Sequence, residues 1–361
     1  MKKSEGNGKK ASDVDVLEPV LHSRWEWPLR AVVAVVFLLV LVPQHLLPAL
    51  ACGLWFSLRT FGMLRTAGFA VGYAGWMIAT NDLKHRASHI GPEWACRVIR
   101  YCLHSCLDLL GCTRRIVMEY SPPDAGHGQA YVCCYNPHGA FATAGICYAM
   151  AEFRLHHNMR KLDGSLCGAS ALFYVPIVRE ILLLLGVRDA SKKTMRALLD
   201  ARRSIGMQPG GIWEQLHTDH RKEQCFCMRK LGFMRLAMEH GMPLVVVYAF
   251  GENQLYTTHT HVAYKLRRWI AETFYLGVPV ITGKFGLPFP IIPHATPITI
   301  VAGQPIAVGP PNPNPTAADL KVVYDKYEAE VHRIFNKYGK DALPPEVFAN
   351  GLDVRWRAME K

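Results

Sequence analysis

KLGFMRLAMEHGMPLVVVYAFGENQLY, Lys230 to Tyr256, is the stretch that decides the fold. Met234 to Glu239 reads as a helix, Met242 to Phe250 (MPLVVVYAF) as a strand, and FGEN at Phe250 to Asn253 as the polar loop that follows it. The same alternation extends in both directions. Upstream, Gln129 to Tyr135 (QAYVCCY) reads as a buried strand and Ala140 to Leu155 as the helix after it. Ala171 to Val187 carries a helix-like apolar run interrupted by Pro176, Ser191 to Ser204 reads as a helix, and Ile205 to Gly211 as a strand or loop edge. Downstream come a helix at Lys265 to Thr273 and a strand at Ile298 to Val301. A stiff proline-rich connector, Gly309 to Pro315, leads into a long terminal helix, Asp319 to Tyr338, whose start is marked by Thr316. Strands alternating with helices predict an α/β body: a mixed sheet flanked by helices.

A chain of 361 residues can bury one large core, or one core plus a small membrane element. Half of its residues are apolar and only 19% are charged, a balance unlike that of a highly solvated nucleic-acid binder, so the net charge of +12 is read as suiting an anionic surface or an anionic substrate. The 11 cysteines are odd in number and irregularly spaced, which points to reduced thiols rather than a disulfide framework. No N-glycosylation acceptor is present, since Asn314 is followed by Pro315.

Residues 1–24 are polar and read as a disordered cytosolic tail. An apolar run opens at Leu29, continues to Val42, breaks at Pro43, Gln44 and His45, and resumes to Leu58. A second, glycine-rich run covers Thr66 to Thr80. Arg24 and Arg30 flank the start of these runs and Lys84 and Arg86 follow them, so residues 25–88 predict a membrane hairpin that leaves both ends in the cytosol. Residues 89–361 then form the cytosolic α/β domain.

Three polar loops follow strand candidates: NPHG at Asn136 to Gly139, PGGIWE at Pro209 to Glu214, and FGEN at Phe250 to Asn253. Ligands of open α/β sheets bind at the carboxyl ends of strands, where such loops converge. His138 is the candidate base, because an imidazole takes a proton from an alcohol at neutral pH, and the fitting reaction is attack of that alcohol on an acyl thioester. No serine at a nucleophile elbow offers a covalent route. Gly210 and Gly211 could turn backbone N–H groups toward an oxyanion. Glu214 would anchor a substrate hydroxyl or stabilise the protonated histidine, with a helix-start carboxylate as the plainer alternative. Arg179, Lys230, Arg235 and Lys284 are the candidates for phosphate contacts with a nucleotide thioester. His217-x-x-His220 and His259-x-His261 lack the carboxylate and spacing of a catalytic metal site, so no metal is expected.

These motifs together resemble the diacylglycerol acyltransferase type 2 family, which includes monoacylglycerol and wax-ester acyltransferases. The resemblance runs through YNPHG at Tyr135 to Gly139, P-x-x-R-E at Pro176 to Glu180, G-G-x-x-E at Gly210 to Glu214, the Lys230 to Tyr256 block and VAGQPI at Val301 to Ile306. It implies a glycerolipid-acyltransferase-like fold at the endoplasmic reticulum membrane and the lipid-droplet surface. It also implies acyl-CoA as substrate rather than cofactor, and transfer of its acyl group to diacylglycerol or another neutral lipid alcohol. Membrane lipids would be the further partners, nucleic acid would not be one, and homodimerisation through the hairpin stays open. By the same resemblance His138 is the general base and Glu214 and Glu252 are the site carboxylates, with Gly139, Glu252 and Asn136 joining Gly210 and Gly211 as candidates for oxyanion or substrate positioning. Asn136 stands where the family usually has a first histidine, which bears on acceptor preference or rate. Monoacylglycerol or a fatty alcohol is the alternative acceptor, and a non-catalytic membrane scaffold the alternative class.

Overall fold

A computed structural model of the chain describes residues 14–16, 43–88, 90–96, 98–99, 110–112, 114–120, 130–142, 164–228, 231–287 and 292–357. In chain order the elements are β1 (Val14–Val16), α1 (Pro43–Ala79), β2 (Arg114–Met118), β3 (Val132–Asn136), β4 (Gly164–Gly168), α2 (Val178–Leu184), β5 (Arg188–Asp189), α3 (Lys192–Asp200) and β6 (Ser204–Met207). They continue with α4 (Gly211–His217), β7 (Glu223–Met228), α5 (Gly232–His240), β8 (Leu244–Phe250), β9 (Thr257–Thr258), α6 (Tyr264–Phe274), β10 (Ile281–Thr282), β11 (Ile298–Ala302), α7 (Ala317–Ala342), α8 (Pro345–Ala349) and β12 (Leu352–Arg357).

Eight strands form the main sheet in the order β1-β2-β11-β8-β3-β6-β4-β5. From β8 through β3, β6 and β4 to β5 every pairing is parallel, whereas β11 runs antiparallel to β8 and β1 antiparallel to β2. The mixed α/β sheet expected from the sequence is therefore present. The centre of the sheet is covered on both faces, which explains why all seven residues of β8 are apolar and buried. Alternate residues of β8 serve two cores. Val245, Val247 and Ala249 pack with Cys133, Tyr135, Phe173 and Leu182 on one face. Leu244, Val246, Tyr248 and Phe250 pack on the other with Met234 and Leu236 of α5 and Tyr327, Val331 and Phe335 of α7. Helix α7 begins where the sequence marks it: Thr316 Oγ1 accepts from the Asp319 N–H at 3.2 Å, and the Asp319 carboxylate accepts from the Thr316 N–H at 2.8 Å.

The N-terminal expectation needs correction. No helix among the described residues is long and apolar enough to cross a membrane, which overturns the membrane hairpin of residues 25–88 and the endoplasmic-reticulum membrane placement. The first apolar block, up to Val42, lies outside the described residues. Over Pro43–Ala79 the physical reason is plain. Pro48 sits inside the helix and Gly62 leaves helical geometry at φ 77°, ψ 165°, while Arg59 and Arg65 interrupt the apolar runs, so neither half supplies the ~20 apolar residues that a crossing needs. At Gly62 the helix doubles back: Ser57 Oγ and Thr66 Oγ1 are 2.9 Å apart, where nine residues of straight helix would separate them by roughly 13 Å. Polar contacts then fasten its C-terminal half to the body. Tyr73 donates to Glu180 Oε2 at 2.5 Å, and Arg179 donates to the Thr80 carbonyl at 2.8 Å and to Thr80 Oγ1 at 2.7 Å.

Smaller differences follow from local sequence. Within the stretch expected as a tail, Val14–Val16 adds an antiparallel edge strand to β2. The helix expected at Ala140 to Leu155 falls outside the described residues from 143 onward. Strand β7 was not expected, because EQCFCM opens on two polar residues after a charged run; it pairs in parallel with β12 in a small second sheet.

Candidate active site

Strands β8, β3 and β6 are adjacent and parallel, so the turns leaving their carboxyl ends lie along one edge of the sheet. Those turns are FGEN, NPHG and PGG, and the carboxyls of Glu252 and Glu214 beside the outer two close on the backbone of NPHG. Glu214 Oε1 accepts the backbone N–H of His138 at 2.8 Å, joining PGGIWE to NPHG. Gly139 has φ +67°, and a Cβ there would lie 2.5 Å from both Cγ and Oε1 of Glu252, so FGEN closes directly on NPHG. Gly210 serves the same purpose on the other side: a Cβ on it would lie 1.9 Å from Glu214 Oε2. The adjoining residue helps, because Gln215 Nε2 donates to the Ala140 carbonyl at 2.6 Å just past the histidine turn.

The tautomer of the histidine is set by its own turn. Its Nδ1 lies 3.1 Å from the Gly139 carbonyl oxygen, and a carbonyl can only accept, so Nδ1 carries the proton and Nε2 presents a lone pair. Burial disfavours the imidazolium and pushes the His138 pKa down to about 4, against which the Gly139 carbonyl is a weaker opposing influence. Glu214 shows the converse. Its carboxyl is 1% exposed, and burial pushes it up to about 8, opposed by the backbone N–H groups of His138 and Phe226 and reinforced by the nearby Glu223 carboxylate. At neutral pH the site thus holds a neutral imidazole and a neutral carboxylic acid. Glu214 Oε2 is buried without a hydrogen-bond partner.

The remaining expected site residues separate by environment. Glu252 is buried against Gly139, within the cluster. Asn136 is fully buried, its Nδ2 donates to the Cys134 carbonyl at 3.0 Å, and its Oδ1 accepts from Tyr327 of α7 at 3.0 Å. Through these bonds Asn136 ties β3 to α7. Gly211, expected as an oxyanion donor, spends its N–H on the Gln208 carbonyl at 3.2 Å. Arg179, expected to meet a phosphate, is 2% exposed, and its guanidinium is committed to Glu180 and Thr80. Arg235 donates to the Pro315 carbonyl at 2.9 Å, Lys284 is exposed on the turn after β10, and Lys230 lies outside the described residues. Sequence reasoning missed Glu223, a buried carboxylate in β7, because the preceding HTDHRK reads as a solvated charge run.

The close approach at Gly139 gives a direct test. Gly139→Ala forces a side chain into the left-handed region, at about 1–2 kcal/mol, and against the Glu252 carboxyl. We expect a lower melting temperature and about a tenfold drop in turnover, scaled from the ~100-fold that a 1 Å misplacement of reacting groups costs; an alanine variant with wild-type kinetics would remove Glu252 from the packed site.

Comparison with known proteins places the chain in a family. The family model described as diacylglycerol acyltransferase matches residues 71–346. Diacylglycerol O-acyltransferase 2 of Xenopus laevis is 29% identical over 225 residues, covering 58% of this chain and 60% of the frog protein. Diacylglycerol O-acyltransferase 1 of Saccharomyces cerevisiae is 32% identical over 231 residues, covering 59% of this chain and 54% of the yeast protein. The chain thus spans less than two thirds of either relative. Human 2-acylglycerol O-acyltransferase 3 is 27% identical over 319 residues, 84% of this chain and 90% of the human protein. No solved structure matches the chain.

Proposed function

The chain belongs to the diacylglycerol acyltransferase family, and from that membership we propose that it transfers a fatty acyl group from acyl-CoA to diacylglycerol, giving triacylglycerol, with His138 as general base. The observation that carries the reading is the neutral His138, its proton fixed on Nδ1 and its lone pair on Nε2, at the junction of three strand-end turns. In the proposed step Nε2 removes the proton from the acceptor hydroxyl as its oxygen attacks the thioester carbonyl carbon. The C–O bond forms, the C–S bond breaks, and the same proton passes from Nε2 to the departing thiolate of CoA. The depressed basicity of the ring favours that return, since a weakly basic imidazole gives its proton up readily. Glu214 holds the histidine turn through its backbone, and Gly139 and Gly210 are the proposed oxyanion donors. The reaction calls for no cofactor beyond its acyl-CoA substrate.

A second acceptor has its own support. The alignment with human 2-acylglycerol O-acyltransferase 3 covers most of both chains, which favours monoacylglycerol as the competing acceptor. Labelled acyl-CoA offered to the protein with diacylglycerol, monoacylglycerol and fatty alcohol in competition separates the readings. Dominant triacylglycerol is the expected product; dominant diacylglycerol or wax ester would transfer the assignment to that acceptor. Absence of any ester product from folded protein would end the acyltransferase reading.

A further inference from the structure

Glu223 is 1% exposed, and its carboxylate is met by three neutral side chains: Tyr248 donates to Oε2 at 2.7 Å, Gln254 to Oε1 at 3.0 Å and Asn253 to Oε1 at 3.3 Å. Such a group adds little to a fold, since removing a carboxylate from water without a cation beside it costs several kcal/mol that an apolar side chain would not. Burial accordingly pushes its pKa up, with the three hydrogen bonds opposing. What the arrangement does accomplish is local. Two of its three donors are the residues that directly follow Glu252 in the turn leaving β8, and the third lies on β8 itself. Gln254 extends the tie by donating also to the His220 carbonyl at 3.2 Å. The turn fixed in this way is the one that seats Glu252 against Gly139, beside His138.

We propose that Glu223 is the positioning residue of this site, bracing the Phe250–Gln254 turn from β7 so that Glu252 and the histidine turn hold their register in the transition state. The inference rests on the reading of His138 as general base, and it adds a part to that machinery which touches no reacting atom. Two buried carboxyls then divide the work: Glu214 holds the NPHG turn by its backbone, and Glu223 holds the FGEN turn by its side chains.

The brace is one of hydrogen bonds and shape, so an amide should replace it. In Glu223→Gln the new side-chain carbonyl oxygen can accept from both turn amides, while the new NH2 donates to the Tyr248 hydroxyl oxygen. The experiment measures kcat and KM for acyl transfer in the full chain for Glu223→Leu, Glu223→Gln and Gln254→Met, with His138→Ala in the same assay and melting curves for each protein. We expect Glu223→Leu to lower kcat about tenfold with KM unchanged, because the interaction lost is one felt in the transition state, and Glu223→Gln to restore it to within about threefold. Gln254→Met, which breaks the brace from the turn side, should lower kcat about threefold with KM again unchanged; it decides the matter if the leucine variant does not fold. A folded leucine variant with wild-type kcat, a glutamine variant as slow as leucine, or a Gln254→Met protein with unaltered kcat would each overturn the proposal. Activity persisting in His138→Ala would instead overturn the reading on which it rests.

Discussion

Replacing His138 with alanine is expected to lower kcat by about a thousandfold, the middle of the range that a positioned general base contributes, while leaving a folded protein. The ring's hydrogen bond is to the carbonyl of its own neighbour, Gly139, so its removal strands no distant buried group. The backbone N–H that Glu214 accepts survives the substitution. Loss of activity with an unchanged melting curve therefore reports chemistry rather than architecture. The pH profile carries a second signature. A base works in its neutral form, and burial holds His138 down to about 4, so kcat/KM should stay level from neutrality to about pH 5 and fall only toward pH 4. An acid limb near the ordinary imidazole value of about 6.5 would mean that another group supplies the base.

How far the sequence alone reaches is visible in β8 and its turn. An apolar run of seven residues leaves little choice but a strand buried on both faces, and FGEN after it marks the end of the sheet where ligands bind. The pairings that bring FGEN beside NPHG and PGG are long-range, however, and periodicity does not encode which strands become neighbours. Asn136 shows the limit at one residue. Its motif places it beside the histidine turn, yet strand geometry points successive side chains to opposite faces, and Asn136 ends against Tyr327 of a helix 191 positions away. Arg179 and Glu180 show another limit: a charged pair in a motif invites a phosphate, whereas here it receives Tyr73 and Thr80 of the N-terminal helix. The membrane expectation failed because composition averaged across Pro48, Gly62 and the two arginines, each of which matters singly for a helix that must cross without interruption. Glu223 was hidden for the opposite reason, since only the tertiary fold turns a charged-looking segment into a buried strand.

Glu214 sets the alkaline side of the same profile. Its carboxyl is wholly buried, and its titration is raised to about 8, first by desolvation and then by Glu223 nearby. Below that value it is neutral, and its carbonyl oxygen accepts the His138 N–H without charge in the site. Above it, a buried negative charge stands beside the turn where the proposed reaction develops its oxyanion, and like charge there raises the barrier. Activity should therefore fall as pH rises through about 8, giving with the histidine a bell whose limbs lie near 4 and 8. Two substitutions separate the roles. Glu214→Leu removes the acceptor, leaves the His138 N–H unpaired, and should cost about 1–3 kcal/mol of stability and about a hundredfold in kcat through the displaced base. Glu214→Gln keeps an acceptor oxygen in place but has no proton to lose, so it should retain most turnover at pH 7 and show no alkaline limb at 8. A limb that stays at 8 in the glutamine protein would assign it to a different group, and a glutamine protein as slow as leucine would show that the carboxyl does more than hold the turn.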